Sequence, residues 1–195
     1  MLAAVLVMAL GAVVLGAALG YAAVRFRVEG DKVVEKQVAR GLKSALIAAH
    51  AVFAEAAAVT DVKNRGGLNI EAIEFDPASG CLWLGFRGPL LGSRAILARL
   101  ENVDSVFDAD ATPRIAPTLV TLDLGGNGLR GMAWVPALAG YLLIAGPMAR
   151  EQRHFELWFW NGDHDSPARR VEVPGLAGFA HAEGNCTALL DGRET

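Results

Sequence analysis

The chain repeats itself, and the repeat constrains the fold more than any other feature. "NIEAIEF" followed by "LWLGFRGPL" is echoed by "GLRGMAW" followed by "YLLIAGPM". Glu71 aligns with Arg130, and Gly88-Pro89 with Gly146-Pro147. Each unit continues into two more short apolar runs. These are "RAILARLE" and "TLVTLDL" in the first unit, "HFELWFW" and "RRVEV" in the second. Turn residues such as "DPASG" and "NGDHDSPA" separate them. Runs of this length and spacing predict antiparallel strands, and no long helical pattern intervenes to build βαβ units.

A repeat of roughly 50 to 60 residues carrying four strands is the pattern of propeller blades. The chain is therefore expected to be mainly β, a partial β-propeller-like array of antiparallel blades. "HAEGNCTALLDG" reads as the start of a third unit, with Glu183 at the position of Glu71. The same hairpin places Glu71, Glu74 and Arg87 where side chains should be packing a sheet. The first strand of a blade lines a channel, which explains how Glu71, Arg130 and Glu183 can be polar. Two blades and a fragment do not close a ring, so open edges and one uncovered face must be managed.

Upstream, "MLAAVLVMALGAVVLGAALGYAAV" has no charged side chain. Leu2 to Ala23 is 22 residues, as a helix about 33 Å, enough to cross a bilayer core. Nothing basic precedes it, so an uncleaved anchor fits better than a cleaved signal. Arg25, Arg27, Lys32, Lys36, Arg40 and Lys43 all follow it, which predicts a single-pass inner-membrane protein with its C-terminal domain in the cytoplasm. Gly16 and Gly20, with Ala12 one turn earlier, form a small-residue row on which two such helices can self-associate.

Residues 32 to 58 carry Val34, Val38, Leu42, Leu46, Ala49, Val52 and Phe53 at three-and-four spacing, and predict one amphipathic helix. "DVKNRGG" ends it. That helix is placed to cover the exposed blade face. The domain reading is thus a transmembrane anchor over 1–24, an amphipathic helical linker over 25–66, and a propeller-like β domain over 67–195.

"GLNIEAI", "LWLGFRGPL", "LDLGGNGLRGM" and "YLLIAGP" resemble an uncharacterised bacterial family of β-propeller-like domains, with the pattern GLNIEGL, LGFRGP, LDLGGLGIRDL, LILAGP and a late "EG". The resemblance covers about residues 42 to 195, departs at Ala72, where the family has glycine, and lacks the earlier blades. It implies the fold and a channel or ligand site at Glu71, Arg87, Arg130 and Glu183. It carries no activity. "LGAALGYAAVRFRVEGDKVVEKQ" is similar to the membrane anchor of the B subunit of the Rnf electron-transport complex. That subunit goes on to a cysteine-rich cluster segment. Here no cysteine follows until Cys81.

Other motifs read as structure. Gly126 to Gly131 spells G-x-G-x-x-G, but too few residues follow for a crossover helix, so it is a glycine-rich turn. Asp108, Asp110, Asp163, His164 and Asp165 sit in short turns without a full calcium-loop pattern. Cys81 and Cys186 have no CxxC partner and read as packed thiols. Trp83, Trp134, Trp158 and Trp160 read as blade packing. No GxSxG, HExxH or P-loop occurs. A net charge of -3 argues against general nucleic-acid binding.

Three functions remain. The leading one is a membrane-anchored binding or scaffolding module with no cofactor. In it, Arg87 and Arg130 neutralise Glu71 and Glu183 in a structural network. The second is a hydrolase in which Glu71 and Glu183 share a divalent cation. The third is an accessory subunit of a membrane electron-transport complex.

Overall fold

The computed structural model describes residues 6–9, 22–29, 31–62, 65–148, 155–174, 185, 189–190 and 193–194. Its centre is a pair of four-stranded antiparallel sheets. The first runs β4 (Asn69–Asp76), β5 (Cys81–Gly88), β6 (Ala95–Leu100) and β7 (Val120–Leu122), each strand beside the next. The second repeats that order with β8 (Gly128–Val135), β9 (Gly140–Gly146), β10 (Glu156–Trp160) and β11 (Arg169–Val171). The turns follow from local chemistry. Asp76 accepts hydrogen bonds from the Ala78 N–H and the Ser79 hydroxyl, and Gly80 takes a φ of 67° between β4 and β5.

Every residue of β5 is buried, because both of its faces are covered. Alternation sends Leu82, Leu84 and Phe86 one way, into a core with Ile70, Ile96 and Leu100. It sends Trp83 the other way, into a second core with Ala72, Leu97, Leu129, Leu143 and Trp160. The second core is the seam between the sheets. Gly85 lets the sheets approach closely there: a Cβ at this position would lie 3.0 Å from Leu129 Cδ1 of the second sheet, and 2.8 Å from the Ala72 Cβ of its own sheet.

Helices cover the other face of the first sheet, as the open blade face requires. They are α1 (Leu42–Ala49), α2 (Ala51–Ala57) and α3 (Val103–Ala109). Leu42, Leu46, Phe53 and Ala56 enter the first core beside Val103, Val106 and Phe107. The Phe53 ring stacks on Phe86 with centroids 4.5 Å apart.

The expected single helix over 32–58 is corrected in two places. Residues Lys32–Ala39 form a strand, β3, which pairs with β2 (Ala23–Glu29). Gly41 then takes a φ of 76°, a left-handed turn that starts α1 afresh. His50 is extended and splits the remainder into α1 and α2, with its Nε2 2.9 Å from the Ala116 carbonyl. The 25–66 segment is thus half hairpin and half helix, a balance set by strand pairing rather than by helical spacing.

The apolar run is described at Leu6–Ala9, which forms β1 on the edge of β2, and at its end from residue 22. At Leu6–Ala9 the backbone is strand where a helix is expected. No helix among the described residues is long and apolar enough to cross a membrane. Gly16 and Gly20 lie outside the described residues. Among the described residues the two sheets do not close into a ring. At the far end, β12 (Leu189–Leu190) and β13 (Arg193–Glu194) form a separate small hairpin, in the region expected to begin a third blade.

Candidate functional site

Three of the four candidate residues converge, and strand irregularities bring them together. In β4, Ile70 pairs with Phe86 and Ala72 with Gly85, so Glu71 is the extra residue of a bulge. Arg87 is skipped in the same way, between the Phe86 and Gly88 pairings. In β8, Leu129 pairs with Ala145 and Gly131 with Ile144, leaving Arg130 as the extra residue. A bulge re-aims a side chain that would otherwise follow the pleat. The glycine at 128 lets β8 reach the end of β5, because a Cβ there would sit 2.0 Å from the Arg87 carbonyl oxygen.

The result is one carboxylate between two guanidiniums. Arg130 Nη1 donates to Glu71 Oε2 at 2.5 Å, and Arg87 Nη1 to Glu71 Oε1 at 3.3 Å. Asn69 Nδ2 also donates to Oε1, at 2.8 Å. The arginines donate onward to successive backbone carbonyls: Arg130 Nη2 to Pro147 at 3.1 Å, Arg87 Nη2 and Nε to Met148 at 2.5 and 3.1 Å. The Arg130 guanidinium also lies over the Phe155 ring, 5.2 Å from its centroid. Both arginine side chains are 7% exposed against 23% for Glu71, so the cations are the deeper partners. Both carboxylate oxygens are engaged, and the chain leaving β9 is tied to the first sheet through carbonyl groups. Glu183 lies outside the described residues.

A further carboxylate, which the sequence pattern gave no role, lies in the seam. Alternation turns Ala72, Glu74 and Asp76 toward the second sheet. Burial pushes the Glu74 pKa up to about 7, against the opposing pull of N–H groups from Trp134 and Phe75. The Tyr141 hydroxyl is pushed up to about 12, by burial first and then by the negative charge of Asp76 and Glu74. The unpaired inner edge of β8 explains the arrangement. Among the described residues β8 has a strand partner on one side only, β9, and the Trp134 N–H lies near the Glu74 carboxylate. An alternating strand pattern marks the face of Glu74, but not the neighbour across the seam.

The remaining motifs keep their structural roles. Gly125 and Gly126 both have positive φ in a turn that leads straight into strand β8, with no helix. Asp163 takes the N–H of Asp165 and the hydroxyl of Ser166, and its own N–H goes to Asn161. Cys81 is a buried free thiol, and Cys186 lies outside the described residues. Among the described residues no three metal-ligating side chains come together.

No family model matches the chain, and no solved structure matches it. One segment of 36 residues is 75% identical to the B subunit of an ion-translocating oxidoreductase complex from Azoarcus sp. (strain BH72). It covers 18% of this chain and 20% of that protein, so the chain spans about a fifth of its relative. The likeness is short, and it is to the same kind of complex subunit that the amino-terminal residues resemble.

Proposed function

We propose that the chain is a membrane-tethered scaffolding module. Residues 2–23 hold it at the inner membrane, and the paired sheets present a binding body on the cytoplasmic side. The observation that carries the reading is the 75% identity over 36 residues to a component of an ion-translocating complex. The site favours a scaffold over an enzyme. Glu71, Arg87 and Arg130 bond one another and nearby carbonyl groups, with only Arg130 Nε of the three side chains left without a partner among the described residues, which is the pattern of a structural network. Insertion of residues 2–23 as a helix requires Leu6–Ala9 to give up its pairing with β2. A bilayer favours that exchange, because a helix satisfies its own backbone in lipid and a sheet edge does not.

The full chain, expressed in bacteria and washed in alkaline carbonate, is expected to stay in the membrane pellet and to be released by detergent. Recovery in the carbonate supernatant overturns the tether. The same likeness favours a second reading, an accessory subunit of an electron-transport complex. Native electrophoresis of the detergent extract tests it: migration at the mass of the lone chain removes that reading and leaves the first intact.

A further inference from the structure

The hairpin that follows the apolar run has two unlike faces. Ala23 and Ala39 pair across it and are buried in the first core. Arg25 and Gln37, also paired, reach α3: Arg25 bonds Asp104 and Asp108, Gln37 bonds Asp108, and the Arg25 guanidinium lies over the Phe107 ring at 5.0 Å. These residues define the inner face. Strand alternation then puts Val24, Phe26 and Val28 on the outer face. Val33 and Val38 join them through the register Val28↔Val33 and Val24↔Val38.

Nothing among the described residues covers the valines of that face. Val28, Val33 and Val38 are 38%, 46% and 42% exposed. They are half of the six large apolar side chains left exposed in the described molecule, and they fall on a single hairpin. Contiguous exposed apolar surface of this kind marks a place of contact. At its edge Lys36 and Arg40 are exposed and make no ion pair among the described residues, Glu29 and Glu35 are held by Arg27, and Asp31 and Lys32 sit at the hairpin turn. An apolar face with a basic rim is complementary to the acyl boundary and headgroups of an anionic leaflet. Continuity names the same occupant, because β2 begins at Ala23, where the uncharged run ends.

We infer that the outer face of the β2–β3 hairpin lies on the anionic cytoplasmic leaflet, with Val28, Val33 and Val38 seated at the acyl boundary and Lys36 and Arg40 among the headgroups. Arg25 on the opposite face then fixes the orientation of the two sheets relative to the membrane through α3. The inference rests on the membrane tether proposed above.

The test uses the full chain in vesicles of phosphatidylcholine and phosphatidylglycerol, with Cys81→Ala and Cys186→Ala to remove native thiols and a melting curve to confirm that this background folds. Nitroxide labels go on Val33→Cys, on Val38→Cys and, as a control on exposed α2, on Glu55→Cys. Lipid-soluble oxygen is expected to relax the labels at 33 and 38 more than a water-soluble nickel chelate does, with the ratio inverted at 55. If the chain floats with the vesicles but all three labels behave as water-exposed, the leaflet contact is wrong and the tether stands. Dipolar broadening at 33 shows a second copy on this face and also overturns the inference. A chain that does not float with the vesicles takes down the tether and the leaflet contact together.

Discussion

Glu71 and Arg130 occupy the same bulge in the first strands of two successive sheets, and they bind each other at 2.5 Å. Repetition thus places opposite charges at equivalent positions, and the packing of one sheet on the next brings them into contact. Arg87 adds a second cation, so one carboxylate serves two buried guanidiniums.

That imbalance predicts an asymmetric mutational response. Glu71→Gln removes the charge shared by both arginines and should cost about 3 kcal/mol, the low end of the range for breaking a buried pair from one side, because Glu71 is partly exposed. Adding Arg130→Met to Glu71→Gln removes one stranded cation and should recover part of the loss. Urea unfolding of the single and double variants reads the coupling. Additive losses would show that the two side chains act independently.

Glu74 predicts a slope of stability with pH. Its pKa is raised from 4.5 to about 7 in the folded protein, so between those values the folded state holds a proton that the unfolded state has released. The contribution is fully present below 4.5 and is lost as pH rises through about 7. A tenfold change in proton affinity corresponds to about 1.4 kcal/mol. Partial exposure of Glu74 reduces the total to about 1–2 kcal/mol. Glu74→Gln should flatten the profile over this window and be more stable than the parent at pH 8. An unchanged melting profile between the two proteins would contradict the role of burial.

Two glycines should respond differently to the same change. Gly85→Ala puts a methyl group 2.8 Å from the Ala72 Cβ, inside the seam where both neighbours are packed. Gly80→Ala meets no atom within 4 Å, but takes a φ of 67°. The first should cost about 2–3 kcal/mol by overpacking, the second about 1 kcal/mol by backbone strain. Equal losses in thermal unfolding would mean that the sheets are not in close contact at Gly85.

The sheets were legible in the sequence because strand pairing there is local and turn-directed. "NIEAIEF", "DPASG" and "CLWLGFRG" spell strand, turn and strand in order. The pairing of Glu71 with Arg130 was legible as an option once the repeat was aligned. The hairpin at 23–39 was not. "AVRFRVE" alternates strictly, but its two arginines also fit the basic border of a membrane anchor, and Val34 and Val38 fit a helical spacing equally well. Long-range partners on α3 decide between these readings, and no local pattern encodes them. The extended backbone at His50 is held by the Ala116 carbonyl, 66 residues away, and was hidden for the same reason.

The helical cover carries the last prediction. Two open sheets leave the outer face of the first one bare, and α1 and α2 fill that place with Leu42, Leu46, Phe53 and Ala56. Phe53 is fully buried and stacked on Phe86 of the central strand β5. Phe53→Ala removes most of a buried aromatic side chain and leaves a cavity against a strand that is packed on both sides, so it should cost about 3–5 kcal/mol. Glu55→Ala, two residues along on the solvent side, should change stability by less than about 0.5 kcal/mol. If the helices are a true structural layer, Phe53→Ala will also speed exchange of the β5 amides, because the sheet loses its cover along with the contact. A loss confined to the amides of α2, with β5 protection unchanged, would mean that the first sheet holds its own face and that the helices only decorate it.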